Sequence, residues 1–207
     1  MEDQKTGDAL TSEERLLLLK MARQALNSAV CGEALLPLDL LSLPLRLQAP
    51  GATFVTLTRK GELRGCIGAL DPYLPLAEDV RQHAIAAGLQ DYRFPPVDLS
   101  ELPEIEIEIS RLTTPVLLEY RDAEDLLSKL RPQIDGVVMR DGYRRATFLP
   151  QVWSKLPSPA SFLNHLCQKM GGPYDLWRSK KLQVFVYQVE EFCEEHPSPT
   201  AENSLPR

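Results

Sequence analysis

Apolar residues recur at helical spacing from Leu16 to Leu26, through Leu17, Leu19, Met21, Ala22 and Ala25. That pattern predicts a helix with one buried face. Thr11, with Glu14 three residues on, has the form of a capping box at its start, and Gly32 marks its stop. Pro37, Pro44 and Pro50 then break a leucine-rich stretch, so only a short helical turn within a packed connection is expected there. Residues 52–59 alternate as a strand. Lys60-Gly61 turns the chain into a second strand over 62–69, so the pair reads as a hairpin. Leu76, Val80, Ala84 and Ala87 set the face of a helix over 74–89.

Glu104 to Ser110 alternates strictly, with Ile105, Ile107 and Ile109 on one face and Glu104, Glu106 and Glu108 on the other. This is the signature of a half-buried antiparallel strand; its three glutamates invite a metal or acid/base reading, against which stands the expected one of a solvated sheet face. A short strand is expected near 115–120, a helix over 122–130, and a hairpin over 136–149 turning at Asp141-Gly142. A helix over 158–170 stops at Gly171-Gly172-Pro173, and a last strand covers 182–190. Helices and strands are interspersed, the best turns are hairpins and no repeat occurs. The expected class is α+β, a mainly antiparallel sheet flanked by helices, with the strands at 63–69, 104–110, 143–149 and 182–190 in one sheet. Residues 1–9 and the Pro/Ser/Glu-rich 196–207 read as disordered tails around one domain over 10–195.

Composition narrows this further. The chain has 207 residues, 43% hydrophobic and 25% charged, with a net charge of −6. That is a globular mix, and the acidic balance disfavours binding of duplex nucleic acid. No apolar run is long enough to span a membrane, and no basic leader precedes Leu16, so a cytoplasmic protein is expected. Cys31, Cys66, Cys167 and Cys193 lie far apart, with neither zinc-ribbon nor disulfide-framework spacing. Cys31 and Cys167 fall on apolar helical stretches and are expected to be buried. His165 and Cys167 point about 200° apart on one helix, so no metal site and no cofactor is expected from the set His83, His165 and His196.

Four segments could carry chemistry. In Leu63-Arg64-Gly65-Cys66-Ile67-Gly68, extended geometry sets Arg64 and Cys66 on one face, where a guanidinium favours the thiolate. Gly65 and Gly68 then admit a backbone or a ligand beside the sulfur; the competing reading is a small core cysteine with a bulge. In Asp91-Tyr92-Arg93-Phe94-Pro95-Pro96, Arg93 either holds an anionic group or pairs with Asp91 and clamps a loop carbonyl. Thr147 lines a cleft or fills a β-branched strand site. Lys169 binds a ligand or complements a helix C-terminus.

Together these stretches, with Phe162–Gly171, resemble the AMMECR family, known in bacteria as AmmeMemoRadiSam system protein A. The hexapeptide LRGCIG is its hallmark, and the likeness runs over residues 11–193. The resemblance implies an α+β fold with a larger and a smaller lobe and a cleft between them. It also implies a pathway shared with a Memo-like protein and a radical SAM protein, but no established reaction. The family pattern falls on Arg64, Gly65, Cys66, Gly68, Asp91, Arg93, Pro96, Thr147, Pro150 and Lys169. Two functions follow as expectations. One is an accessory protein that binds a small anionic ligand in a cleft around Cys66, with Gly65, Gly68, Asp91, Arg93, Thr147 and Lys169 as ligand-binding residues. The other is an enzyme with Cys66 as nucleophile or thiol ligand, tuned by Arg64. No general base for Cys66 can be named from the sequence. In the first arrangement Arg64, Cys66, Arg93, Thr147 and Lys169 converge on one concavity.

Overall fold

The computed structural model describes residues 9–194. The tails expected over 1–9 and 196–207 lie outside the described residues, Ala9 excepted. In chain order the elements are α1 (Ser12–Val30), α2 (Leu45–Gln48), β1 (Pro50–Arg59), β2 (Glu62–Gly68), β3 (Leu74–Pro75), α3 (Leu76–Leu89), β4 (Ile105–Leu112), β5 (Val116–Leu117), α4 (Ala123–Lys129), β6 (Gly136–Asp141), β7 (Arg144–Phe148), α5 (Pro159–Lys169), α6 (Leu176–Ser179), β8 (Gln183–Tyr187) and β9 (Val189–Cys193). The chain is α+β, as expected, and divides into two compact units.

Among the described residues the larger unit comprises Leu10–Ser110 with Glu191–Glu194. The capping box closes α1 as its sequence foretold: Glu14 donates its N–H to Thr11 Oγ1, and Thr11 donates its own N–H to the Glu14 carboxylate, 2.8 Å away. The strands run β2-β1-β4-β9, with β3 on the start of β1. One face of this sheet presents Val55, Leu57, Ile107 and Ile109, fully buried with Leu18 and Leu26 of α1 and Val80 and Ala84 of α3. The three isoleucines therefore face the core. The opposite face is less solvated than expected. Glu104 is tied to Arg59 and Lys60. Glu108 is half-buried, and burial together with nearby Glu191 pushes its carboxyl above the usual range.

The smaller unit, Arg111–Glu190, has its own sheet in the order β5-β8-β6-β7. Val137, Met139, Ala146 and Val184 point from it into a core with Phe162, Leu163 and Leu166 of α5. Trp153 stacks on Phe162 at 3.8 Å between ring centroids and donates its indole N–H to the Asp135 carbonyl. The hairpin turns one residue later than expected. Asp141 pairs with Arg144, leaving Gly142 and Tyr143 as the loop, and Gly142 takes φ +63°.

The single expected sheet is thus two sheets, with 63–69, 104–110 and the end of the 182–190 run, as β9, in one, and 143–149 and β8 in the other. The run read as one strand over 182–190 breaks at Gln188, where Thr113 Oγ1 accepts its N–H and the Thr113 N–H donates to its carbonyl. Alternation specifies which face of a strand is buried, not which strand lies beside it. Cys31 is also corrected: it caps the C-terminus of α1 and is exposed, whereas Cys167 is buried as expected.

Candidate functional site

The β1–β2 hairpin turns through Lys60 and Gly61, both at positive φ. Its register runs Val55↔Ile67, Thr56↔Cys66, Leu57↔Gly65 and then Thr58↔Leu63. Arg64 is the extra residue of a β-bulge. Directly opposed residues share a sheet face, so Gly65 and Ile67 lie on the helix-covered face and Cys66 lies with Thr56 on the other. That much agrees with the extended-strand expectation. The bulge takes Arg64 out of the alternation, so its position relative to Cys66 is not the simple i, i+2 one.

All three nitrogens of the Arg64 guanidinium are engaged. Nε and Nη2 bond the Glu101 carboxylate, each at 2.9 Å. Nη1 donates to the Pro95 carbonyl and Nη2 to that of Pro96. Glu101 sits in a 3-10 helix, Leu99–Glu104, and also accepts from Arg59 and from the Asp98 N–H. These donors, Arg64 first, pull its carboxyl down to about 2.

The DYRFPP loop returns the grip. β2 is an edge of its sheet, so the main chain of Cys66 needs outside partners. Asp91 accepts the Cys66 N–H at 2.9 Å, and Arg93 Nη2 donates to the Cys66 carbonyl at 3.0 Å. Asp91 and Arg93 close the ring through two further bonds, Nε at 2.9 Å and Nη2 at 2.6 Å. The Arg93 guanidinium holds the buried Asp91 carboxyl far below the usual carboxylate range, and Asp91 raises Arg93 in turn. LRGCIG and DYRFPP therefore form a reciprocal latch, each arginine gripping the other segment's carbonyls. Of the two readings of Arg93, the loop clamp is observed. Phe94 lies within 6.0 Å of Arg64 and 5.5 Å of Arg93, a cation–π contact to each.

Both glycines in the hexapeptide are packing devices. A Cβ on Gly65 would strike the carbonyl oxygen of Ala87 at the end of α3. One on Gly68 would fall 2.5 Å from Phe54 Cδ1 and against the Thr53 carbonyl. At Gly65 the element that comes close is thus another backbone, and at Gly68 it is the Phe54 ring together with the Thr53 carbonyl.

Cys66 is half-buried, and the group that meets its sulfur is the Thr56 hydroxyl, which donates at 3.3 Å. His83 belongs elsewhere: with Thr53 it bonds the buried Asp79 carboxylate. Thr53 and Thr56 stand an odd number of positions apart on β1, on opposite sheet faces. Among the described residues no cluster of three His, Cys, Asp or Glu side chains could hold a metal ion.

Six of the eight expected site residues, Arg64, Gly65, Cys66, Gly68, Asp91 and Arg93, gather at this edge of the larger unit. Thr147 and Lys169 lie in the smaller unit and meet each other. Lys169 Nζ donates to the Thr147 carbonyl at 3.0 Å, and Thr147 Oγ1 is within 3.2 Å of the Tyr187 hydroxyl. Glu101 and Thr56 escaped the sequence reading. The Asp98–Glu101 capping box was the available signal for Glu101; Thr56 needed the strand register.

With this geometry in place, comparison with known proteins identifies the lineage. Residues 19–192 match the AMMECR1 family. The chain belongs to the AMMECR1 family. Its relatives include Protein MK0488 of Methanopyrus kandleri, 37% identical with 96% of this chain and 98% of that protein covered. Protein MJ0810 of Methanocaldococcus jannaschii is 33% identical, with 91% and 94% covered. Among solved structures, the uncharacterized protein PH0010 from Pyrococcus horikoshii is 34% identical and superposes with a TM-score of 0.65 over 87% of this chain and 91% of that one. Among the described residues no helix of this AMMECR1-family chain is long and apolar enough to cross a membrane.

Proposed function

We propose that this AMMECR1-family chain is a non-catalytic accessory protein of a Memo-like/radical SAM pathway, and that it holds a small anion at the β2 edge beside Cys66. The observation that carries the binding reading is the state of Arg93. Its Nε and Nη2 are spent on Asp91 and the Cys66 carbonyl, its side chain is 43% exposed, and no acceptor among the described residues meets Nη1. A rigidly held guanidinium with one open edge is suited to a carboxylate or phosphate oxygen. The pathway partners rest on the family resemblance alone. A cytoplasmic setting accords with four free cysteines.

The second reading, a cysteine-dependent enzyme, needs a base at the sulfur. Thr56 is the neighbour there, and a hydroxyl donates a proton at neutral pH rather than abstracting one. Calorimetric titration of the full chain with phosphate, pyrophosphate and citrate tests the proposal, alone and with co-expressed Memo-like and radical SAM proteins. Saturable binding of one anion is expected, kept in Cys66→Ser, weakened in Arg93→Lys and lost in Arg93→Gln. No binding of any of the three, or turnover abolished by Cys66→Ser, overturns it.

A further inference from the structure

Charge is divided very unevenly along the chain. Residues 111–190 hold 12 lysines and arginines against 8 aspartates and glutamates, whereas the remaining residues hold 11 against 21. The smaller unit is therefore basic within an acidic protein, and its cations have a particular placement. One face of its sheet is buried through Val137, Met139, Ala146 and Val184. The opposite face is buried along Val138, Thr147 and Tyr187, and its exposed end toward the hairpin presents, in register across the strands, Arg140 with Gln183 on β8 and Arg145 on β7. Phe185, two positions along β8 from Gln183, shares that face beside Leu117 of β5. Arg140 stacks its guanidinium over the Phe185 ring at 5.0 Å.

Arg140, Gln183 and Leu117 are exposed, and Phe185 is half-buried and lies outside the hydrophobic core. Lys180 and Lys181 lead into β8, with Lys181 over the Tyr120 ring at 5.5 Å. Tyr143 stands fully exposed at the hairpin tip. Asp141 accepts from both Arg144 and Lys180, so one carboxylate serves two cations there. Among the described residues no carboxylate pairs with Arg140 or Lys181.

We propose that this face of the smaller unit binds single-stranded RNA. The chemistry is that of a small sheet platform: the Phe185 ring takes one base as Arg140 swings from it to a phosphate, the exposed Tyr143 ring stands at the hairpin tip, and the neighbouring cations take further phosphates. Gln183, whose amide both donates and accepts, stands beside Arg140 in position for a ribose 2′-hydroxyl. A duplex buries its base faces and offers nothing to Phe185. An acidic peptide would use the arginines but not the ring.

The test is fluorescence anisotropy of the full chain with a 5′-labelled oligouridine, the matching oligothymidine, an RNA duplex and polyglutamate. Binding of oligouridine is expected, with affinity falling on added salt at a slope of roughly −2, as about three phosphates release counterions from a single strand. Oligothymidine should bind more weakly, and duplex RNA and polyglutamate weaker still. Arg140→Glu should weaken oligouridine at least ten-fold and Phe185→Leu about five-fold, a loss set by the stacking of one base. Lys155→Glu, with the same charge change at a residue off the sheet, should leave it within two-fold. Circular dichroism melts establish that each variant is folded. Absence of oligouridine binding at about 50 mM salt overturns the proposal. Equal binding of oligothymidine or polyglutamate, or a folded Phe185→Leu that binds unchanged, overturns it as well.

Discussion

Gly65→Ala isolates what the hallmark hexapeptide does. The added Cβ would sit 3.1 Å from the Ala87 carbonyl carbon and closer still to its oxygen. A comfortable C–H···O approach needs about 3.3 Å between carbon and oxygen. The obstacle is main chain, so no side chain can swing aside. The helix cannot easily retreat either: Ala84 and Ala87 are buried, and a Cβ on neighbouring Gly88 would already be 2.5 Å from Leu26 Cδ1. Overpacking a core costs about 1–3 kcal/mol, and an unyielding backbone puts this case at the upper end, about 3 kcal/mol. At this chain length that corresponds to a fall in Tm of roughly 6–12 °C. Both tryptophans lie in the smaller unit, so far-UV circular dichroism rather than tryptophan fluorescence is the assay. Gly142→Ala is the control. Nothing lies within 4 Å of its Cβ, and only the positive φ is penalised, at about 1 kcal/mol. A Gly65→Ala protein within about 1 kcal/mol of wild type would refute the packing account. If it also lost anion binding, the glycine would belong to a ligand instead.

The latch, the thiols and the second core each make a separate prediction. Asp91→Ala should destabilise by about 2–3 kcal/mol in urea titration, because it strands the Cys66 N–H; Asp91→Asn, which keeps an acceptor, should cost about 1 kcal/mol. Equal losses would show that the charge, not the acceptor, matters. Glu101 titrates at about 2 when folded against an ordinary 4.5, so its contribution is complete above pH 4.5 and disappears as pH falls toward 2. Glu101→Gln should therefore flatten the acid limb of wild-type stability through that window, and an unchanged limb would assign acid unfolding to other groups. In iodoacetamide labelling read by peptide mapping, exposed Cys31 and Cys193 should react before half-buried Cys66, since Arg64 is neutralised by Glu101. Cys167, whose thiol burial pushes up, should react last, and Cys66 leading would reveal an activating group. Phe162→Ala should cost about 3–5 kcal/mol and shift Trp153 emission, because it removes the ring stacked on that indole.

The sequence by itself determined much of what depends on neighbours a few residues away. The Thr11 capping box, the Lys60-Gly61 turn, the burial of Ile105, Ile107 and Ile109, and the α+β class follow from local spacing, because helix and strand periods decide which side chains can share a face. Family membership was likewise legible in LRGCIG and DYRFPP. Tertiary structure alone decided partners. That β7 and β8 lie in a second sheet, while the run continuing from β8 joins the first as β9, is a matter of strand pairing, to which alternation is blind. That Arg64 turns to Glu101, 37 residues on, and not to the neighbouring thiol depends on a bulge, which the glycines left open as one of two readings, and on a carboxylate delivered by a distant 3-10 helix. A guanidinium goes to the best-placed acceptors in space, and those for Arg64 and Arg93 lie on each other's segments, where only the folded chain brings them together.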